Sequence, residues 1–145
     1  MVQNSADAPA SGARVRGPAD RPTSPHLQVW RWHITMACSI LTRATGVALY
    51  VGALILAGWA VSMASGAEAY DQYKALLGSI PGKVVLFGLT VSIFYHLAAG
   101  VRHLVWDSGR GFKPHTADMT GMMSIAFGIA AAIAVWVIAA QMGAL

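Results

Sequence analysis

The chain has 145 residues, of which 56% are hydrophobic and only 11% charged, against about 25% charged in an ordinary soluble domain. Its net charge of +4 comes from basic residues that flank apolar stretches, so it reflects membrane topology and excludes nucleic acid as the partner implied by the charge. A single cysteine, Cys38, excludes an internal disulfide.

Three stretches account for this composition. Ala44 to Ala67 carries no charge, Val84 to Val101 carries only His96, and Met119 to Leu145 carries none. Each approaches or exceeds the roughly 20 residues that cross about 30 Å of hydrocarbon. The expected fold is therefore an all-α membrane protein with three transmembrane helices.

In chain order, residues 1–20 are rich in Ala, Ser, Gly and Pro and lack the apolar core of a secretory signal. They read as a flexible N-terminal tail. Residues 21–33 read as an interfacial segment. Pro22 and Pro25 disfavour a helix there, and Trp30, Arg31 and Trp32 suit headgroup level.

The membrane anchor proper is expected over 34–145, with spans at about 34–65, 83–106 and 119–142. On the first span Ser39 and Arg43 are four residues apart and share a face, with Gly46 close to it. Two readings stay open for them: an interface anchor with a packing serine, or a binding pair. Gly52 and Gly58 allow close helix approach. Ala67 to Lys83 reads as a polar connection, and Ser108 to Asp118 as a short loop carrying Arg110, Lys113 and His115. The third span, rich in Ala, Gly and Met, has no ionisable side chain and reads as a packing helix.

Basic residues set the orientation. Arg14, Arg16, Arg21, Arg31 and Arg43 precede or open the first span, and Arg102, Arg110 and Lys113 surround the second loop. Only Lys74 and Lys83 flank the first loop. The positive-inside rule puts the N-terminus on the cytoplasmic side of a bacterial inner membrane, or on the matrix side of a mitochondrial one.

The second span carries the chemistry. An ionisable residue at membrane depth is a functional-site hypothesis by default, and imidazole is a usual axial ligand of haem iron. His103, seven residues after His96, faces the same side about 10 Å nearer the interface, and Asp107 follows on that side. Arg102 points elsewhere. Ala98, Ala99 and Gly100 make room for something broad and flat. An imidazole bonded to a neighbouring helix is the alternative reading of His96. If haem is bound, His103 cannot supply the opposite ligand, so a partner must.

Two motifs stand together: Arg21-Pro22-x-Ser24-Pro25-His26 with Ser39-Ile40-Leu41-Thr42-Arg43-x-Thr45-Gly46, and His96-x-x-x-Gly100-x-Arg102-His103-Leu104-x-x-Asp107. With three spans in this order, the chain resembles the larger, cytochrome b-type membrane-anchor subunit of succinate dehydrogenase (complex II). The resemblance covers about Arg21 to Asp107.

It implies a subunit with no succinate-oxidising activity of its own. Its partners would be a second small membrane-anchor subunit, an iron–sulfur subunit and, through that, a flavoprotein subunit. Electrons from succinate would reach ubiquinone as substrate. By the same resemblance His96 is the metal ligand, binding the iron of haem b shared with the partner anchor. Ser39, Arg43, Trp32, Leu27 and Ile40 belong to the quinone pocket, and Arg43 and His103 lie near the haem propionates. Many relatives have histidine directly before the arginine, where this chain has Thr42; that histidine helps hold a propionate. A fumarate reductase anchor fits the same motifs. From different classes, a haem-free anchor and a proton-relay subunit of a transporter remain as alternatives. Against the relay, the chain has neither internal repeats nor a broken helix.

Overall fold

A computed structural model describes residues 31–143. The tail expected over 1–20, most of the interfacial segment and Leu27 lie outside the described residues. Four helices follow: α1 (Ile34–Ser65), α2 (Ala67–Gly78), α3 (Ile80–Asp107) and α4 (Pro114–Gln141). There is no strand among the described residues. Helices α1, α3 and α4 are each long and apolar enough to cross a membrane, and the chain is an all-α membrane protein.

Two helices start earlier than hydropathy alone suggests, each at a local signal. Ser79 caps α3 by accepting the Gly82 N–H at 3.2 Å, and Pro81 occupies the first turn, where a missing N–H costs nothing. Pro114 opens α4 in the same way and draws His115, expected in the loop, into the first turn.

The connection expected over Ala67 to Lys83 is mostly helical, and α2 is the element that hydropathy does not reveal. Its Ala, Glu, Gln, Lys and Leu are strong helix formers. Gly66, at φ 110°, turns the chain out of α1. Tyr73 then folds α2 back, its hydroxyl donating to the Ile55 carbonyl of α1 at 2.8 Å. Gly58 admits that ring, since a Cβ there would stand 2.8 Å from the hydroxyl oxygen.

Helix α3 is the centre of the bundle, packed on both α1 and α4. Its buried residues are Tyr95, Ala99 and Arg102. Helix α4 presents Gly121, Ser124, Gly128 and Ala132, small residues at helical spacing, as membrane helix packing favours. A Cβ on Gly128 would lie 2.8 Å from Tyr95 Cβ and 3.0 Å from its Cα, so only glycine allows this approach. Tyr95 in turn donates its hydroxyl to the Cys38 carbonyl of α1 at 2.9 Å. One side chain thus ties three helices together.

The two ends of the bundle are closed differently. At one, Trp136 Nε1 donates to Thr90 Oγ1 at 3.1 Å and its ring meets Phe87 edge-on at 5.4 Å. At the other, His33 Nε2 lies 3.3 Å from Asp118 Oδ2, joining the start of α1 to α4. That second end also gathers the last turns of α3, and the polar residues with it.

Candidate functional site

The antiparallel run of α1 and α3 brings the start of one beside the end of the other. Between them lies a cavity of about 300 Å³ whose walls include Ser39, Thr42, Arg43, Arg102, His103 and Trp106. Its size matches the lower end of the roughly 300–1,000 Å³ typical of ligand pockets. Among the described residues no carboxylate lines it, while two guanidinium groups do. The site therefore favours an anionic group or an oxygen on which negative charge develops.

On the α1 wall, Arg43 Nη2 donates to Ser39 Oγ at 3.0 Å, one helical turn away. The serine oxygen thus has its donor, and its own proton finds no acceptor among the described residues. Beside them Thr42 donates to the Cys38 carbonyl at 2.8 Å and lies 3.3 Å from the Tyr95 hydroxyl. Thr42 here serves the packing of α1 on α3.

On the α3 wall, Arg102 is 8% exposed and its charge has no carboxylate partner among the described residues. Its Nε donates to Thr120 Oγ1 at 3.1 Å and its Nη2 to the Ala117 carbonyl at 2.9 Å. The guanidinium also lies over the Trp106 ring, 4.0 Å from its centroid. Arg102 was expected to point away from His103, yet both reach the cavity. The side chain is long enough to clamp α4 while its head group stays on the wall. His103 Nδ1 lies 2.6 Å from the Ala99 carbonyl, which can only accept, so that nitrogen carries the proton.

Deeper in the bundle, His96 is half-buried against α1. Its Nδ1 lies 3.1 Å from Thr45 Oγ1, and its Cε1 passes 3.5 Å from the point where a Cβ on Gly46 would stand. Nε2 has no hydrogen-bond partner among the described residues. The small residues after it divide. Ala99 is 2% exposed and packs into the bundle, whereas Gly100, one turn from His96, has nothing within 4 Å of an added Cβ. Room for a flat group therefore lies over Gly100.

Among the described residues no three His, Cys, Asp or Glu side chains gather to hold a bare metal ion. His96 offers a single imidazole nitrogen, the donor that suits an iron whose other ligands come from a macrocycle and a partner. The residues present fit a haem held at one face by this chain.

Of the residues singled out in the sequence, Ser39, Arg43 and His103 come together on one cavity, with His96 further in. Trp32 and Ile40 are 67% and 48% exposed and do not line it. Sequence reasoning missed the roles of Thr45, Tyr95 and Arg102. All three stand in or beside the quoted motifs, but their partners lie on other helices.

A family model described as succinate dehydrogenase/fumarate reductase transmembrane subunit matches residues 18–135. The succinate dehydrogenase cytochrome b556 subunit of Rickettsia felis is 37% identical over 118 residues, covering 81% of this chain and 91% of the relative. That of Paracoccus denitrificans is 35% identical over 114 residues, covering 79% and 88%. The human mitochondrial succinate dehydrogenase cytochrome b560 subunit is 37% identical over 97 residues, covering 66% of this chain and 57% of the relative. By match length and identity alike, the chain belongs to the family of succinate dehydrogenase/fumarate reductase transmembrane subunits.

Proposed function

We propose that this chain is the cytochrome b-type membrane anchor of a bacterial succinate–ubiquinone oxidoreductase. It sits in the inner membrane with its N-terminus in the cytoplasm. It binds haem b through His96 together with a second small anchor subunit, and receives electrons through an iron–sulfur subunit docked to a flavoprotein. The observation that carries the reading is the arrangement at one end of the bundle. A cavity walled by Ser39, Arg43 and His103 lies about two helical turns, roughly 10 Å, from an imidazole whose Nε2 has no hydrogen-bond partner among the described residues. Succinate is the substrate class that the matched relatives' names carry.

Each residue has a physical task in that reading. Ser39, already accepting from Arg43, directs its free O–H at a quinone carbonyl. Arg43 presents further N–H donors and a permanent positive charge to the same oxygen as negative charge develops there. Arg102, held by α4, adds a second fixed charge to the wall without needing to move. A guanidinium is a poor acid, so the two protons of quinone reduction come from water at the nearby interface. His103, with Nδ1 committed to Ala99, keeps Nε2 available as a relay on that path. Haem b, when bound, supplies a one-electron centre deeper in the membrane.

The test separates quinone chemistry from electron supply. In the assembled complex, Ser39→Ala and Arg43→Leu should depress succinate–quinone turnover. Reduction of an artificial acceptor at the flavin or iron–sulfur side should survive. Normal quinone turnover in both variants would remove the quinone site from this face of α1.

A further inference from the structure

We infer that Thr45 is a positioning residue that fixes the tautomer of His96 and strengthens it as an iron ligand; the inference rests on the haem reading of His96. A threonine hydroxyl has one proton to give. Thr45 Oγ1 stands 2.7 Å from the Leu41 carbonyl and 3.2 Å from the Thr42 carbonyl. Both oxygens can only accept, so the proton is shared between them, as a threonine in a helix commonly arranges. What the hydroxyl turns toward His96 Nδ1, 3.1 Å away, is therefore lone-pair density. Two lone pairs at that distance repel, so the stable pair has hydrogen on Nδ1 and the oxygen accepting.

The consequence for His96 follows directly. With Nδ1–H committed to Thr45, the neutral ring has its lone pair on Nε2, the nitrogen with no other partner among the described residues. A neutral imidazole with one bare nitrogen is the form that binds metal. An acceptor behind the other nitrogen both orients the ring and raises its basicity. The acceptor is a neutral hydroxyl already polarised by two carbonyls, so it stabilises the ligating tautomer before iron arrives.

A more basic ligand favours ferric over ferrous iron, and that difference is measurable without turnover. The variant Thr45→Val keeps the shape and loses the acceptor, whereas Thr45→Ser keeps the acceptor. In the purified assembled complex, Thr45→Val should bind haem about tenfold more weakly, the lower end of the range for outer-shell changes. If that loss falls on the ferric state, the haem midpoint rises by about 59 mV for a one-electron couple. Thr45→Ser should stay at the wild-type midpoint and haem content. A Thr45→Val complex with wild-type midpoint and haem content overturns the inference, as does a Thr45→Ser complex that shifts as far as Thr45→Val. Should Thr45→Val fail to assemble, Thr45→Cys, a poor acceptor in the same place, gives the same readout under the same criteria. The arm His96→Ala distinguishes the two levels of the argument. A complex that keeps its low-spin b spectrum without His96 removes the haem reading itself. Loss of that spectrum in His96→Ala, beside an unchanged Thr45→Val, removes only the role of Thr45.

Discussion

Ser39 and Arg43 act as one unit, because the guanidinium that faces the cavity also holds the serine oxygen. Removing the serine hydroxyl takes away one neutral hydrogen bond, about 0.5–1.5 kcal/mol, so Ser39→Ala should slow quinone reduction about 2- to 12-fold. Arg43→Leu removes a charge-assisted contact of about 1.5–3 kcal/mol, a loss of about 10- to 150-fold. It also frees the serine, so the double variant should fall well short of the product of the two single losses. Arg43→Lys keeps the charge without the fork and should lie between wild type and Arg43→Leu. Steady-state succinate–quinone turnover at equal assembly checks all four. Fully multiplicative losses would mean that the two side chains work separately. An i, i+4 spacing on one helix made this pair legible from residue order alone. The Thr45–His96 contact was not, because it depends on how α1 is placed against α3, which no single stretch encodes.

At the scale of the helices, packing is set by where a side chain is missing. Gly128 lets α4 touch the backbone of α3 at Tyr95, so Gly128→Ala forces the helices apart and should cost about 1–3 kcal/mol. Gly88→Ala adds the same methyl group to open space and should leave the stability of the complex unchanged. Thermal inactivation of the detergent-solubilised complex compares the two, and equal midpoints would contradict this packing. Tyr95→Phe should cost about 0.5–1.5 kcal/mol in the same assay, the value of its bond to the Cys38 carbonyl. The long helices were legible because about 20 apolar residues in a row admit one explanation. Helix α2 was not, since Glu68, Asp71 and Lys74 interrupt it and leave no long apolar run for a hydropathy reading to find. Its helix-forming composition and the tyrosine that folds it onto α1 are local signals of a different kind.

As a whole molecule the chain leaves most of the apolar surface of its long helices uncovered. Only 6%, 11% and 17% of the most apolar stretch of α1, α3 and α4 is buried within the chain, and His96 stands half-buried with Nε2 unpartnered among the described residues. Lipid covers much of that surface, but lipid cannot supply an iron ligand. Expressed without its companions, the chain should be degraded or fail to retain haem, as subunit levels and haem content in isolated membranes would show. A stable, haem-loaded monomer in detergent would contradict this. The low-spin haem signal in electron paramagnetic resonance tests the central claim most directly, recorded on purified complex carrying His96→Tyr with flavin content confirming assembly. The account predicts that the b-type signal is lost or moved, because the phenol cannot replace an imidazole at low-spin iron. An unchanged signal in the assembled complex would show that the iron is held elsewhere.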